Sequence, residues 1–167
     1  DGSREVLSSE SVYDTSGTTT IRCVVASLDR LHDASAQFTE TCVFQLVSRK
    51  DNPGSVLVYG EEVSLLHKAS NRMVTMIQMA SDTDKDCFRV LLRTEAEIAD
   101  TNAEALTHFR IHPRYKIRAE GEKIHLGDPI LFVADSSGHL NQYLHATRLP
   151  QSSHREHETQ VNISLLH

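Results

Sequence analysis

The sequence predicts an all-β fold, a β-trefoil built from three pseudo-repeats of about four strands each with a short helix or two in the connections, on three observations. Short runs rich in Val, Ile, Thr and aromatic residues cross most of the chain. Turn-forming residues separate them. A stretch near the middle returns in weaker form about 67 residues later.

The strand-like runs lie at residues 20–25, 42–47, 56–59, 63–67, 73–76, 88–92, 109–112, 130–133 and 143–146. Bends between them are supplied by Asn52-Pro53-Gly54, Ser70-Asn71, Gly127-Asp128-Pro129 and Ser136-Ser137-Gly138. Residues 95–106, rich in Ala and Glu, read as a short helix or an irregular excursion that could bury an edge through Ile98 and Leu106. The echo pairs Gly60-Glu61-Glu62-Val63-Ser64-Leu65-Leu66-His67 with Gly127-Asp128-Pro129-Ile130-Leu131-Phe132-Val133. A second echo pairs Thr41-Cys42-Val43-Phe44-Gln45-Leu46 with Thr107-His108-Phe109-Arg110-Ile111-His112. A period this long is too great for a small solenoid and fits units that close one barrel by pseudo-symmetry.

At 167 residues the chain fits a single domain, 1–167, with one core. Hydrophobic residues at 39% and charged residues at 24% are ordinary globular usage, which excludes a disordered or fibrous chain. Lys+Arg number 17 against Asp+Glu 23, and the resulting charge of −6 argues against a nucleic-acid or anionic-membrane binder. Cys23, Cys42 and Cys87 are too few for a disulfide scaffold and are expected to be buried, reduced thiols. No apolar run approaches the roughly 20 residues that cross a bilayer, and the polar start is no signal peptide.

Chemistry-bearing motifs are sparse. Asp82-Thr83-Asp84-Lys85-Asp86 imitates the start of a calcium loop, but Cys87 stands where Gly is needed and Arg93 where a bidentate Glu would close the shell. His154 and His157, with His145 or His167, lack the spacing of a zinc site, and a surface reading is preferred. No nucleophile elbow, metalloprotease helix or phosphate-cradling loop is present, so no catalytic residue, metal ligand or cofactor is assigned. The dense basic segment runs from His108 to Arg118. Alternation puts Arg110 and His112 on one strand face, and Pro113 then redirects the chain so that the later cations fall on a loop.

Several segments, in order along nearly the whole chain, resemble the first domain of the inositol trisphosphate and ryanodine receptors, a family of intracellular calcium-release channels. They are Arg22-Cys23-Val24-Val25, Cys42-Val43-Phe44-Gln45-Leu46, and Val58-Tyr59-Gly60 running through Leu65-Leu66-His67 to Asn71-Arg72. Similar to the ryanodine-receptor version are Ile111-His112-Pro113, Arg118-Ala119-Glu120-Gly121-Glu122-Lys123, Leu126-Gly127-Asp128 and Tyr143-Leu144-His145. The resemblance implies a regulatory, non-enzymatic module on the cytosolic face of a calcium-store membrane such as the endoplasmic reticulum. Its partners would be the ligand-binding core of the same channel and neighbouring subunits of a homotetramer, with no direct membrane contact. It implies a suppressor role, lowering ligand affinity and transmitting ligand binding to the pore, and it implies no strong ligand binding by this chain itself. Isolated, the chain is expected to be monomeric.

By the same resemblance the loop Tyr115-Lys116-Ile117-Arg118 meets a neighbouring subunit, a role suited to Tyr115, Lys116 and Arg118 because Arg and Tyr make strong desolvated anchors. A solvated loop kept for solubility is the plain alternative, and a phosphate-binding patch, for which no glycine-rich loop or helix N-terminus is on offer, is a third. Arg22 matches an arginine of the family's first hairpin, implicated in suppression; a strand-end arginine paired with a carboxylate is its plain alternative. Two departures stand out: only residues 51–55 occupy the place of a long helical arm, and the chain stops before the family's final Trp-containing strand. The last repeat is therefore expected to lack a strand and leave an open sheet edge. The rival reading is a lumenal or lectin-like trefoil, for which Asn162-Ile163-Ser164 offers a formal glycosylation acceptor.

Overall fold

The computed structural model describes residues 5–13, 19–27, 41–50, 56–81, 85–100, 105–134, 142–148 and 159–165. Strands β1 (Glu5–Tyr13), β2 (Thr19–Ser27), β3 (Phe44–Ser48), β4 (Glu62–His67), β5 (Arg72–Ala80) and β6 (Phe88–Arg93) precede a five-residue helix, α1 (Glu95–Ala99). Then come β7 (Ala105–Leu106), β8 (Phe109–Pro113), β9 (Ile130–Ala134), β10 (Gln142–Arg148) and β11 (Thr159–Leu165). The fold is all-β, as predicted, and every pairing among the described strands is antiparallel.

The ladders close on themselves. From β4 the pairing passes to β8, β9, β10, β11, β6 and β5, and β5 returns to β4. Closure explains why β4 and β5 carry runs of consecutive buried residues, Val63–Leu65 and Val74–Ile77, rather than buried residues at alternate positions only. By contrast β3, which pairs only with β4 among the described strands, alternates half-buried Phe44, Leu46 and Ser48 with exposed Gln45 and Val47. One core cluster gathers Leu65, Val74, Met76, Val90, Leu92, Phe109 and Ala134; a second gathers Tyr59, Val63 and Ile111. Each large side chain so buried contributes about 1.5–3 kcal/mol of transfer free energy, which makes the ring the rigid part of the molecule.

The internal echo is physical. The β3–β4 hairpin pairs Phe44 with His67 and Ser48 with Val63, and the β8–β9 hairpin pairs Arg110 with Val133 and Pro113 with Ile130. Gly60 and Gly127, at φ of 86° and 90°, each turn the chain into the second strand of its hairpin in a left-handed conformation that favours glycine. Asn71, at φ 51°, does the same between β4 and β5, a position that Asn tolerates.

Four expectations need correction. Thr159–Leu165, absent from the predicted strand runs, forms β11 and pairs with β10 on one side and with β2 and β6 on the other. The helix ends at Ala99, after a capping box in which Thr94 and Glu97 satisfy each other's backbone N–H groups. Beyond it Ala105–Leu106 pairs with β5 as a strand, and Leu106 packs on the core. Residues 56–59 make only an isolated bridge, Val58 to Lys123, because the Tyr59 backbone bonds to a loop and not to a strand. Finally, β1 was not foreseen, yet it pairs with β2 along its whole length.

Candidate functional site

Strand β8 ends at Pro113, and the chain then leaves the ring as a loop, residues 114–129, that returns as β9. Phe109 and Ile111 are buried and Arg110 and His112 are half-buried, the alternation expected for this strand. The loop mouth is closed by the Arg114 N–H donating to Pro129 O at 3.0 Å. Further out, Tyr59 takes the Gly121 N–H on its carbonyl at 2.9 Å and gives its own N–H to Glu122 O at 3.0 Å, while Ile124 N–H donates to Leu57 O. Segment 57–61 is itself fastened to β8 by Gly60 N–H to Ile111 O and Ile111 N–H to Glu61 O.

Asp128 gathers the charges of the loop. Its Oδ2 accepts the Tyr59 hydroxyl at 3.0 Å and the His125 backbone N–H at 3.0 Å. Arg118 Nη2 lies 3.9 Å from its Oδ1, and Arg118 also reaches Glu122 at 3.6 Å. The His125 N–H bond holds the Asp128 carboxyl below its ordinary range; burial opposes this, and the Tyr59 hydroxyl and Arg118 reinforce it. Burial, followed by the bond to Asp128, pushes the Tyr59 phenol above its ordinary value.

Outside these anchors the loop is solvated. Tyr115 is 55% exposed, Ile117 81% exposed and Leu126 fully exposed. Lys116 is exposed as well, and the Arg114 guanidinium sits 5.9 Å from the Tyr115 ring centroid. The structure therefore places Tyr115 and Lys116 at the surface of one loop, as expected, whereas Arg118 is engaged with that loop's own carboxylates. Arg22 is elsewhere: it lies inside β2, not at a strand end, with Glu10 opposite it in β1 and Leu91 opposite it in β6. The sequence reading did not single out Tyr59 and Asp128 as supports, although Gly60 and Gly127 beside them carried the repeat.

Beside the loop a cleft of about 740 Å³ is bounded by Val58, Tyr59 and Gly60 on one side and Glu120 and Gly121 on the other. Its ionic groups compensate one another: Arg49 meets Glu62 at 2.9 Å, Arg110 meets Glu62 at 3.4 Å, and Lys50 lies 3.9 Å from the buried Glu61. Glu61 also accepts from the Ser48 hydroxyl and from Val58 N–H. The cleft thus offers no surplus of either sign to a charged ligand.

Of the calcium-like stretch, residues 82–84 lie outside the described residues; Lys85 and Asp86 are exposed in a turn and Cys87 is buried. His154, His157, His167 and Cys23's side chain are also outside them, as is the short connection 51–55. Cys42 and Cys87 are not joined in a disulfide, and among the described residues no three metal-ligating side chains converge. No helix among the described residues is long and apolar enough to cross a membrane.

A family model described as inositol 1,4,5-trisphosphate/ryanodine receptor matches residues 25–166. The match covers both hairpins of the repeat, the loop carrying Tyr115 and strand β11. On that extent of the chain, it belongs to the inositol 1,4,5-trisphosphate/ryanodine receptor family of intracellular calcium-release channels, a receptor-channel family and not an enzyme family.

Proposed function

We propose that the chain is a single β-trefoil domain, residues 1–167, on the cytosolic face of a calcium-store membrane, where it lowers the ligand affinity of a tetrameric release channel and couples ligand binding to gating. It carries out no catalytic step. It acts by contacting the ligand-binding core of its own subunit and a neighbouring subunit differently in closed and open states, which is what allosteric coupling requires. Family membership and the order of its motifs support the channel setting. The repeated hairpins and the closed ring of ladders support the trefoil.

One observation carries the docking role: a loop held firmly at its base puts Tyr115, Ile117 and Leu126 into solvent beside Arg114 and Lys116. An exposed aromatic and two exposed aliphatic side chains among cations are costly to leave wet and well suited to an interface centre with a polar rim. Arg22 is proposed as a second contact, through the β1–β2 hairpin that contains it.

Deleting this domain from the complete receptor tests the reading. Ligand affinity should rise by about 5–150-fold, the usual range of allosteric coupling, while ligand-evoked opening fails. Unchanged affinity with normal opening would contradict it.

A further inference from the structure

We propose that the Tyr59 hydroxyl and the Asp128 carboxylate form a latch that sets the shape of the 114–128 loop, so that these two residues position the docking surface without belonging to it. The inference rests on the docking role proposed for that loop.

The geometry is that of a spindle. Tyr59 touches the loop at two places: its backbone bonds to Gly121 and Glu122, and its hydroxyl bonds to Asp128. Tyr59 is 2% exposed and packed with Val63 and Ile111, with partly buried Ile124 of the loop and Ile130 of β9 against the same cluster. The hydroxyl is therefore delivered from a rigid body. At the receiving end, Asp128 ties three parts of the loop to that fixed point: its own backbone, the His125 N–H and the Arg118 guanidinium. Glu122 N–H to Ala119 O and Ala119 N–H to the Glu122 carboxylate are bonds of the loop to itself, and Ile124 N–H to Leu57 O adds one more tie to segment 57–61.

Asp128 follows Gly127, whose positive φ aims the chain toward Tyr59; there is open space around Gly127, so the turn and not crowding selects glycine there. Removing the latch leaves the ring intact and gives the loop a choice of shapes. That choice lowers the fraction of molecules presenting Tyr115 and Ile117 correctly and weakens docking by the same fraction.

The test is amide hydrogen exchange on this chain, comparing wild type with Tyr59→Phe, Asp128→Ala and the double variant. Tyr59→Phe keeps the ring and both backbone bonds and loses only the hydroxyl. Exchange at Ile124, His125 and Asp128 should quicken about tenfold, the scale of one lost hydrogen bond, with the amides of β4 and β8 unchanged. The double variant should match Asp128→Ala alone, because the two groups act through each other. Wild-type exchange in the loop of Tyr59→Phe, additive effects in the double variant, or equal quickening throughout the ring would overturn the latch. The docking role fails separately: a receptor carrying Tyr59→Phe with a loosened loop but wild-type affinity and gating retains the latch and loses the docking reading.

Discussion

The ring and the loop of this domain are held by different physics. Around Val74, Met76, Val90, Leu92 and Phe109 the backbone is paired on both sides and the side chains are shut away from water, so order there is over-determined. Between Arg114 and Pro129 order depends on a few backbone bonds and one carboxylate, and the largest apolar groups face solvent. The docking role proposed for the loop uses both kinds of region, a rigid body and a segment with few fastenings, of the kind from which moving elements are drawn.

The largest expected effect falls in the ring. Phe109 is wholly buried at the start of β8 and packs in the main cluster, so Phe109→Ala should cost about 3–5 kcal/mol in denaturant unfolding, through lost burial plus the cavity left behind. A cost below about 1 kcal/mol would show that β8 is not part of a close-packed core and would erase the contrast between ring and loop.

Acid should probe the junction of the two regions. Glu62, opposite Arg110 in the ladder, is held below the ordinary carboxylate range chiefly by its bond from Arg49, with burial opposing and Arg110 assisting. Because its folded-state value is depressed, its contribution is complete above the unfolded value near 4.3 and disappears as pH falls through the lower folded value. Stability of wild type relative to Glu62→Gln should therefore shrink as pH drops from about 6 to about 3. The advantage at the upper end should be small, since exposed ion pairs are typically worth about 0.2–1 kcal/mol and the Arg49 side chain is largely solvated. A difference that stays flat with pH would remove Glu62 from the group of ionised supports.

The ring was readable in the sequence wherever local pattern and final environment agree. Residues 63–67, 88–92 and 109–112 are apolar, β-prone runs, and they became buried strands. The repeat was readable because Gly60 and Gly127 are demanded by backbone conformation and leave a fixed mark. By contrast β1, Glu5–Tyr13, carries three serines and two glutamates in nine residues, a pattern with weak strand propensity. Its order comes from pairing along all of β2, a partner that local reading cannot supply. Residues 56–59 erred in the opposite way, since Val-Leu-Val-Tyr has strand propensity but its backbone partners lie in the distant loop. The exposure of the basic segment followed from Pro113 and the charges beyond it. The support beneath it did not, because the Tyr59–Asp128 bond spans 69 residues and neither side chain is unusual in its own neighbourhood.

The smallest stability effect should come from the residue with the greatest proposed consequence for assembly. Tyr115 is more than half exposed, and its described contact is the Arg114 guanidinium over its ring. Tyr115→Ala should therefore change unfolding stability by no more than about 0.5 kcal/mol, the range for surface substitutions that touch no special feature. In the complete receptor the same change should raise ligand affinity and impair opening in the direction of the domain deletion, because a desolvated tyrosine at an interface centre is commonly worth about 2 kcal/mol or more. Equal, large losses of stability in the isolated chain would mean that Tyr115 is a structural residue, and the division of labour between ring and loop would have to be drawn elsewhere. Stability preserved and coupling lost is the result that separates a docking loop from a merely solvated one, since solubility alone gives gating no reason to depend on a single aromatic ring.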